Sequence, residues 1–190
     1  LTGHGSYTGY GASFSNNVRG VIAAGSDNFI GYITMATTGN TTDFGNLSGS
    51  NFYQAGFSSS SRGIFSGGYS GGAINKIEYV TIASTGDVTD FGDLSVARYL
   101  NGGSSSNTRG LTSGGGTGSA ITNVIDYVTI ASTGNATDFG DILETTQGLS
   151  ALANSTKSIM GGGKASGAMS NVIQQVTIAT TGNSTDFGDL

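Results

Sequence analysis

One phrase recurs four times along the chain: YITMATTGNTTDFGNL at 32–47, YVTIASTGDVTDFGDL at 79–94, YVTIASTGNATDFGDI at 127–142 and QVTIATTGNSTDFGDL at 175–190. Successive copies begin 47, 48 and 48 residues apart, a period typical of units that bury their faces against one another. The spacing divides residues 1–190, read as a single repeat domain, into units 1–47, 48–94, 95–142 and 143–190. Each unit has room for four short strands and their turns. In the second they fall on FYQAGFSS, RGIFSGG, KIEYVTIAS and VTDFGDL.

The repetition makes sense of an odd composition. With 34 glycines and 36% apolar residues, an irregular fold of this length would bury little, because glycine has no side chain and loses much backbone freedom on folding. Collagen is excluded, since there is no proline and no three-residue glycine period. Disorder fits poorly with 10% charged residues and regularly placed Ile, Val, Tyr and Phe. A net charge of -5 opposes binding to nucleic-acid phosphates. The absence of cysteine excludes disulfides and thiol catalysis. No apolar run is long enough for a membrane-spanning helix. The first residue is leucine with no secretory signal pattern behind it, which suggests a processed or excised chain.

The third strand carries the clearest core pattern. Val80 and Ile82 alternate with Tyr79, Thr81 and Ala83, and the other copies repeat this, with Gln175 replacing tyrosine in the last. Both faces are apolar or small, as expected of a sheet held between neighbouring sheets. Thr-Gly-Asn or Thr-Gly-Asp follows, with Gly39, Gly86, Gly134 and Gly182 expected at the first central position of a type II′ hairpin. Phe44, Phe91, Phe139 and Phe187 then supply one aromatic anchor per unit, the neighbouring aspartates are expected to cap turns, and a glycine lets the chain bend beside each ring. Arg19, Arg62 and Arg109, with Lys157 in the fourth place, start the second strands and are expected to make structural hydrogen bonds.

GIFSGG with Gly67-Gly68, then Tyr79, then Phe91, resembles a kelch repeat: a hydrophobic strand ending in a diglycine, a later tyrosine and a still later tryptophan, here phenylalanine. Gly114-Gly115 and Gly162-Gly163 repeat the diglycine, Ala24-Gly25 departs from it, and Arg98 resembles the kelch arginine. The resemblance implies an all-β, kelch-like β-propeller of four four-stranded blades of about 48 residues; the alternatives are a repetitive β-solenoid or part of a larger propeller. The phrase itself also resembles repeats in structural or tail-fibre-associated proteins of marine bacteriophages, especially those of cyanobacteria.

Chemical motifs are few. Asp90-Phe91-Gly92 matches the magnesium-binding triplet of protein kinases, but it occurs four times and lacks the glycine-rich loop and catalytic loop that kinase chemistry requires. Asp87, Asp90 and Asp93 offer a calcium alternative, although two or three carboxylates per unit fall short of the 6–8 oxygens that calcium takes. No other cofactor is indicated. His4 has no nucleophile beside it, and Asp126 with Glu144 are further candidates for glycosidic acid–base work. The variable segments place Tyr7, Tyr10, Phe52, Tyr69, Arg98, Tyr99 and Asn101 near turns or edges, where rings could stack on a sugar or peptide and polar groups orient it.

The phage resemblance implies the expected function, a noncatalytic phage virion or tail-associated module for host-surface recognition or adhesion. Its expected partners are other virion proteins, copies of itself, or a host-surface glycan or protein, with no nucleic acid and no membrane-spanning segment. A purely structural virion protein, a cellular kelch-like protein-binding scaffold and a glycan-cleaving enzyme are the alternatives. The expected location is the virion tail, or else the cell surface or extracellular space.

Overall fold

The computed structural model describes residues 11–23, 25 and 27–190. Four antiparallel sheets follow one another along the chain, each a meander in sequence order. The first holds β1 (Ala12–Ser15), β2 (Arg19–Ala23), β3 (Phe29–Thr34) and β4 (Thr42–Asn46). The second holds β5 (Ala55–Ser58), β6 (Arg62–Ser66), β7 (Lys76–Thr81) and β8 (Thr89–Asp93). The third holds β9 (Gly102–Ser105), β10 (Arg109–Ser113), β11 (Val124–Thr129) and β12 (Thr137–Asp141). The short strands β13 (Thr146–Gln147), β16 (Lys164–Ala165) and β17 (Ala168–Met169) pair separately, and the fourth sheet holds β14 (Ser150–Ala153), β15 (Lys157–Gly161), β18 (Val172–Thr177) and β19 (Thr185–Asp189). Repeated four-stranded sheets of this kind are the building blocks of propellers and solenoids alike.

The Asp-Phe-Gly triplet is a β-bulge. In the second sheet Gly92 pairs with Ile77 and Asp90 with Glu78, so Phe91 is the extra residue that the ladder skips. The same shift recurs opposite Ile30, Ile125 and Ile173. Gly45, Gly92 and Gly140 take φ of +147°, +145° and +143°, and a Cβ there would lie 2.2–2.5 Å from a carbonyl oxygen of the following sheet's loop. Only glycine satisfies both conditions.

The bulge turns each phenylalanine toward the next sheet. Phe44 packs in one cluster with Val80 and Ile82, Phe91 with Val128 and Ile130, and Phe139 with Val176 and Ile178. The two faces of a third strand thus serve different clusters: Tyr79 meets Phe91 edge-on at 5.9 Å, while Val80 faces backward onto Phe44. The arginines expected to make structural hydrogen bonds bridge the same junctions. Nη1 of Arg19, Arg62 and Arg109 donates to the carbonyls of Ile82, Ile130 and Ile178, while each guanidinium lies 4.3–4.6 Å over the centroid of Tyr32, Tyr79 or Tyr127. In the fourth sheet Lys157 Nζ donates instead to Gln175 Oε1 at 2.6 Å.

The first strands β1, β5, β9 and β14 lie side by side. Their junctions are knobs set in sockets: a Cβ on Gly63 would come within 1.8 Å of the Phe14 ring, and one on Gly110 within 1.9 Å of the Phe57 ring. At the third junction both partners are serines, Ser104 and Ser158, whose hydroxyls hydrogen-bond at 2.7 Å.

Two local expectations need correction. The Thr-Gly-Asx segment is not a two-residue type II′ hairpin. Residues 82–88 form a seven-residue loop between β7 and β8, and Gly86 N–H donates to Phe44 C=O in the preceding sheet. The loop's length frees its backbone to dock on a neighbour instead of closing its own hairpin. Nor do the aspartates of Asp-Phe-Gly cap turns, since Asp43 and Asp90 are exposed on the bulged strands. The capping side chain is the Asx of the loop: Oδ1 of Asp87, Asn135 and Asn183 accepts from the backbone N–H of Asn46, Asp93 and Asp141 in the sheet before.

Phe44, Phe91 and Phe139 are at most 2% exposed, whereas Phe187 is 58% exposed because no described sheet packs over it. Phe91→Ala is therefore expected to cost about 3–5 kcal/mol and Phe187→Ala under about 0.5 kcal/mol in urea denaturation of the two variants. Equal losses would refute this account of the junctions.

Candidate binding site

The side-by-side first strands have two unlike ends. Their C-terminal ends open on a recess of about 330 Å³ lined by serine and asparagine from all four sheets. Here polar groups answer one another across the junctions: Ser58 Oγ donates to Ser15 C=O, Ser105 Oγ to Ser58 C=O, and Asn16 Nδ2 to Ser60 C=O. These groups are largely consumed in joining sheets.

The opposite end is aromatic. Phe52 and Tyr69 exchange backbone hydrogen bonds, Tyr69 meets Tyr99 edge-on at 5.3 Å, and Tyr53 lies 6.1 Å from Tyr99 and 6.3 Å from Phe52. Three sequence-derived candidates, Phe52, Tyr69 and Tyr99, are thus brought together, and Tyr53 joins them. Tyr69 is 36% exposed and the others are half-buried. Tyr53 holds φ +57° and Leu100, its counterpart in the third sheet, +56°. Left-handed backbone costs a non-glycine residue roughly 1–2 kcal/mol. Leu100 N–H donates to Tyr53 C=O and Gly148 N–H to Leu100 C=O, so these residues form a hydrogen-bonded stair across the sheets. Gly148, φ +70°, was the available signal: a glycine at this place in one repeat marks the backbone that Tyr53 and Leu100 must share.

Near these rings along the chain are the buried amides Asn51, Gln54 and Asn101. Asn51 Nδ2 donates to Gln54 Oε1 and Gly67 C=O, and Asn101 Nδ2 donates to Ser66 C=O. Asn51 Oδ1, Gln54 Nε2 and Asn101 Oδ1 have no partner among the described residues. The candidate Asn101 is therefore buried, and its candidate neighbour Arg98 is fully enclosed. Arg98 Nη2 donates to Asp126 Oδ2 at 2.9 Å and to Thr112 C=O at 3.0 Å, and Nη1 donates to Val124 C=O. Burial lowers the pKa of the guanidinium, against the opposing pull of the Asp126 and Asp138 carboxylates.

The remaining candidates lie elsewhere. Tyr7, Tyr10 and His4 fall outside the described residues. Asp87, Asp90 and Asp93 are exposed, Asp87 is engaged with the first sheet, and among the described residues no three His, Cys, Asp or Glu side chains gather as a metal site. The calcium alternative has no assembled ligand set here. Asp126 is buried against Arg98 and accepts from Ser95 N–H and Oγ, whereas half-buried Glu144 accepts from Ser170 Oγ. No helix among the described residues is long and apolar enough to cross a membrane.

No protein-family model and no curated protein matches the sequence. The fold matches 180 solved chains, a spread that speaks of architecture rather than chemistry. One is described as the structure of YjhT, with a TM-score of 0.79, 9% identity and coverage of 95% of this chain. This chain spans 65% of the length of that one.

This finding corrects the functional expectation. The likeness is to YjhT and lends no support to a phage setting, so the virion, tail-fibre and host-adhesion reading is set aside, and with it the virion location. The expectation of a noncatalytic chain falls too, because likeness to YjhT gives no ground for setting catalysis apart. The phage resemblance lay in a short phrase whose residues serve bulge and junction, features that constrain architecture rather than biological setting.

Arg98→Met leaves Asp126 buried without its cation and is expected to cost about 3–5 kcal/mol. Arg98→Met/Asp126→Leu should recover most of that loss in chemical denaturation. A double variant no more stable than the single one would contradict the pairing.

Proposed function

We propose that the chain is four blades of a kelch-like β-propeller, corresponding to residues 1–47, 48–94, 95–142 and 143–190, and that its aromatic end recognises a glycan. The single observation that carries the glycan reading is the meeting of Phe52, Tyr53, Tyr69 and Tyr99 at one end of the first strands. Sugars offer a C–H face for stacking and a rim of hydroxyls that both donate and accept. A cluster of four aromatic rings, with Tyr69 36% exposed, matches the stacking half of that chemistry.

The left-handed Tyr53 adds support, because bulky residues in this conformation concentrate where backbone strain serves a site. The serine and asparagine end is less suited, since its groups already bond one another. A glycan ligand also accords with the glycan-cleaving alternative and with an extracellular or cell-surface setting.

Glycan-array binding followed by calorimetry tests the reading. Tyr99→Ala and Tyr69→Ala should each weaken binding by about tenfold or more, with unchanged thermal unfolding. A folded protein that binds no glycan would sink the proposal. Release of reducing ends from the bound glycan would add cleavage to recognition.

A further inference from the structure

We infer that the outer face of the fourth sheet is an acceptor for a further four-stranded unit of the same repeat, held by that unit's Thr-Gly-Asx loop. Three occupied copies of this acceptor define what fits. Gly86, Gly134 and Gly182 donate their N–H to the carbonyls of Phe44, Phe91 and Phe139 at 2.6–2.7 Å. Val88, Ala136 and Ser184 donate to the carbonyls of Asn46, Asp93 and Asp141, whose N–H groups bond the Asx Oδ1 of the same loop at 2.9–3.0 Å. Each docking loop thus makes a short β-ladder on a bulged edge strand, with register set by the Asx side chain.

The fourth copy is assembled and empty. Phe187 C=O and both backbone groups of Asp189 are the equivalent positions, and among the described residues no loop lies against them. A Cβ at Gly188 would meet nothing within 4 Å, whereas at Gly45, Gly92 and Gly140 it would strike the docked loop. Phe187 is 58%, Leu152 65% and Leu190 78% exposed. Leu152 stands where Phe14 and Phe57 are knobs, so the incoming unit needs a small residue opposite it, as Gly63 and Gly110 are to those rings.

Chain length indicates how many units are involved. The part of YjhT left unmatched is about 35% of that chain, as long as roughly two such repeats. The occupant is therefore a pair of further units, not a four-unit second copy. The number rests on the propeller reading, while the docking chemistry does not.

Hydrogen exchange at Asp189 tests this in two proteins: the 190-residue chain, and the same chain followed by a second copy of residues 48–142. In the first, the Asp189 amide should exchange freely while that of Asp141 is protected. In the second, Asp189 should slow by about tenfold or more, and Gly188→Ala should destabilise the extended protein more than the short one. An extended protein with Asp141 protected and Asp189 still free would overturn the inference. Concentration-dependent protection of Asp189 in the short chain would also overturn it, by making a second copy the occupant. Protection gained without any glycan binding would leave the acceptor standing and remove the proposed function alone.

Discussion

Phe44, Phe91 and Phe139 are core residues only because the following sheet lays a Val-x-Ile pair over each of them. That dependence organises the molecule. The bulge aims the ring outward from its own sheet, the glycine beside it clears room for the neighbour's loop, and the arginine of the second strand ties the junction from its far side. No sheet owns a complete core, so stability accrues junction by junction, as in other repeat architectures.

Much of this was legible in the sequence because repetition multiplies weak signals. The 47- and 48-residue spacing located the sheets, and alternation in KIEYVTIAS separated Val80 and Ile82 from Tyr79. What escaped were features that depend on a partner distant in sequence. Nothing local distinguishes a tight Thr-Gly-Asp hairpin from a loop that docks on a strand some forty residues earlier. Arg98 and Asn101 sit beside Tyr99 in the chain yet point into the interior, where Asp126 and Ser66 C=O receive them. Tyr53 was concealed for another reason: its backbone conformation shows only when it is aligned with Gly148.

The two ends of the first strands show how one scaffold separates cohesion from recognition. At one end short side chains bond the next sheet's backbone and leave little for a ligand. At the other, Phe52, Tyr53, Tyr69 and Tyr99 gather, with Tyr53 held in left-handed backbone. The enclosed Arg98–Asp126 pair lies within the scaffold, where it joins the segment before β9 to β10 and β11. Its charge is therefore a matter of internal order and not of ligand attraction.

The knob-and-socket series carries a further consequence. Two junctions set a phenylalanine against a glycine, and the third sets serine against serine. A chain of near-identical repeats is prone to joining the wrong neighbours while it folds, because the Thr-Gly-Asx loops alone look almost alike. Phe14 or Phe57 would collide with Ser158, so neither of the first two sheets can take the place of the third against the fourth. The side chains of the first strands therefore act as an address for the fourth sheet, penalising an arrangement that skips the third.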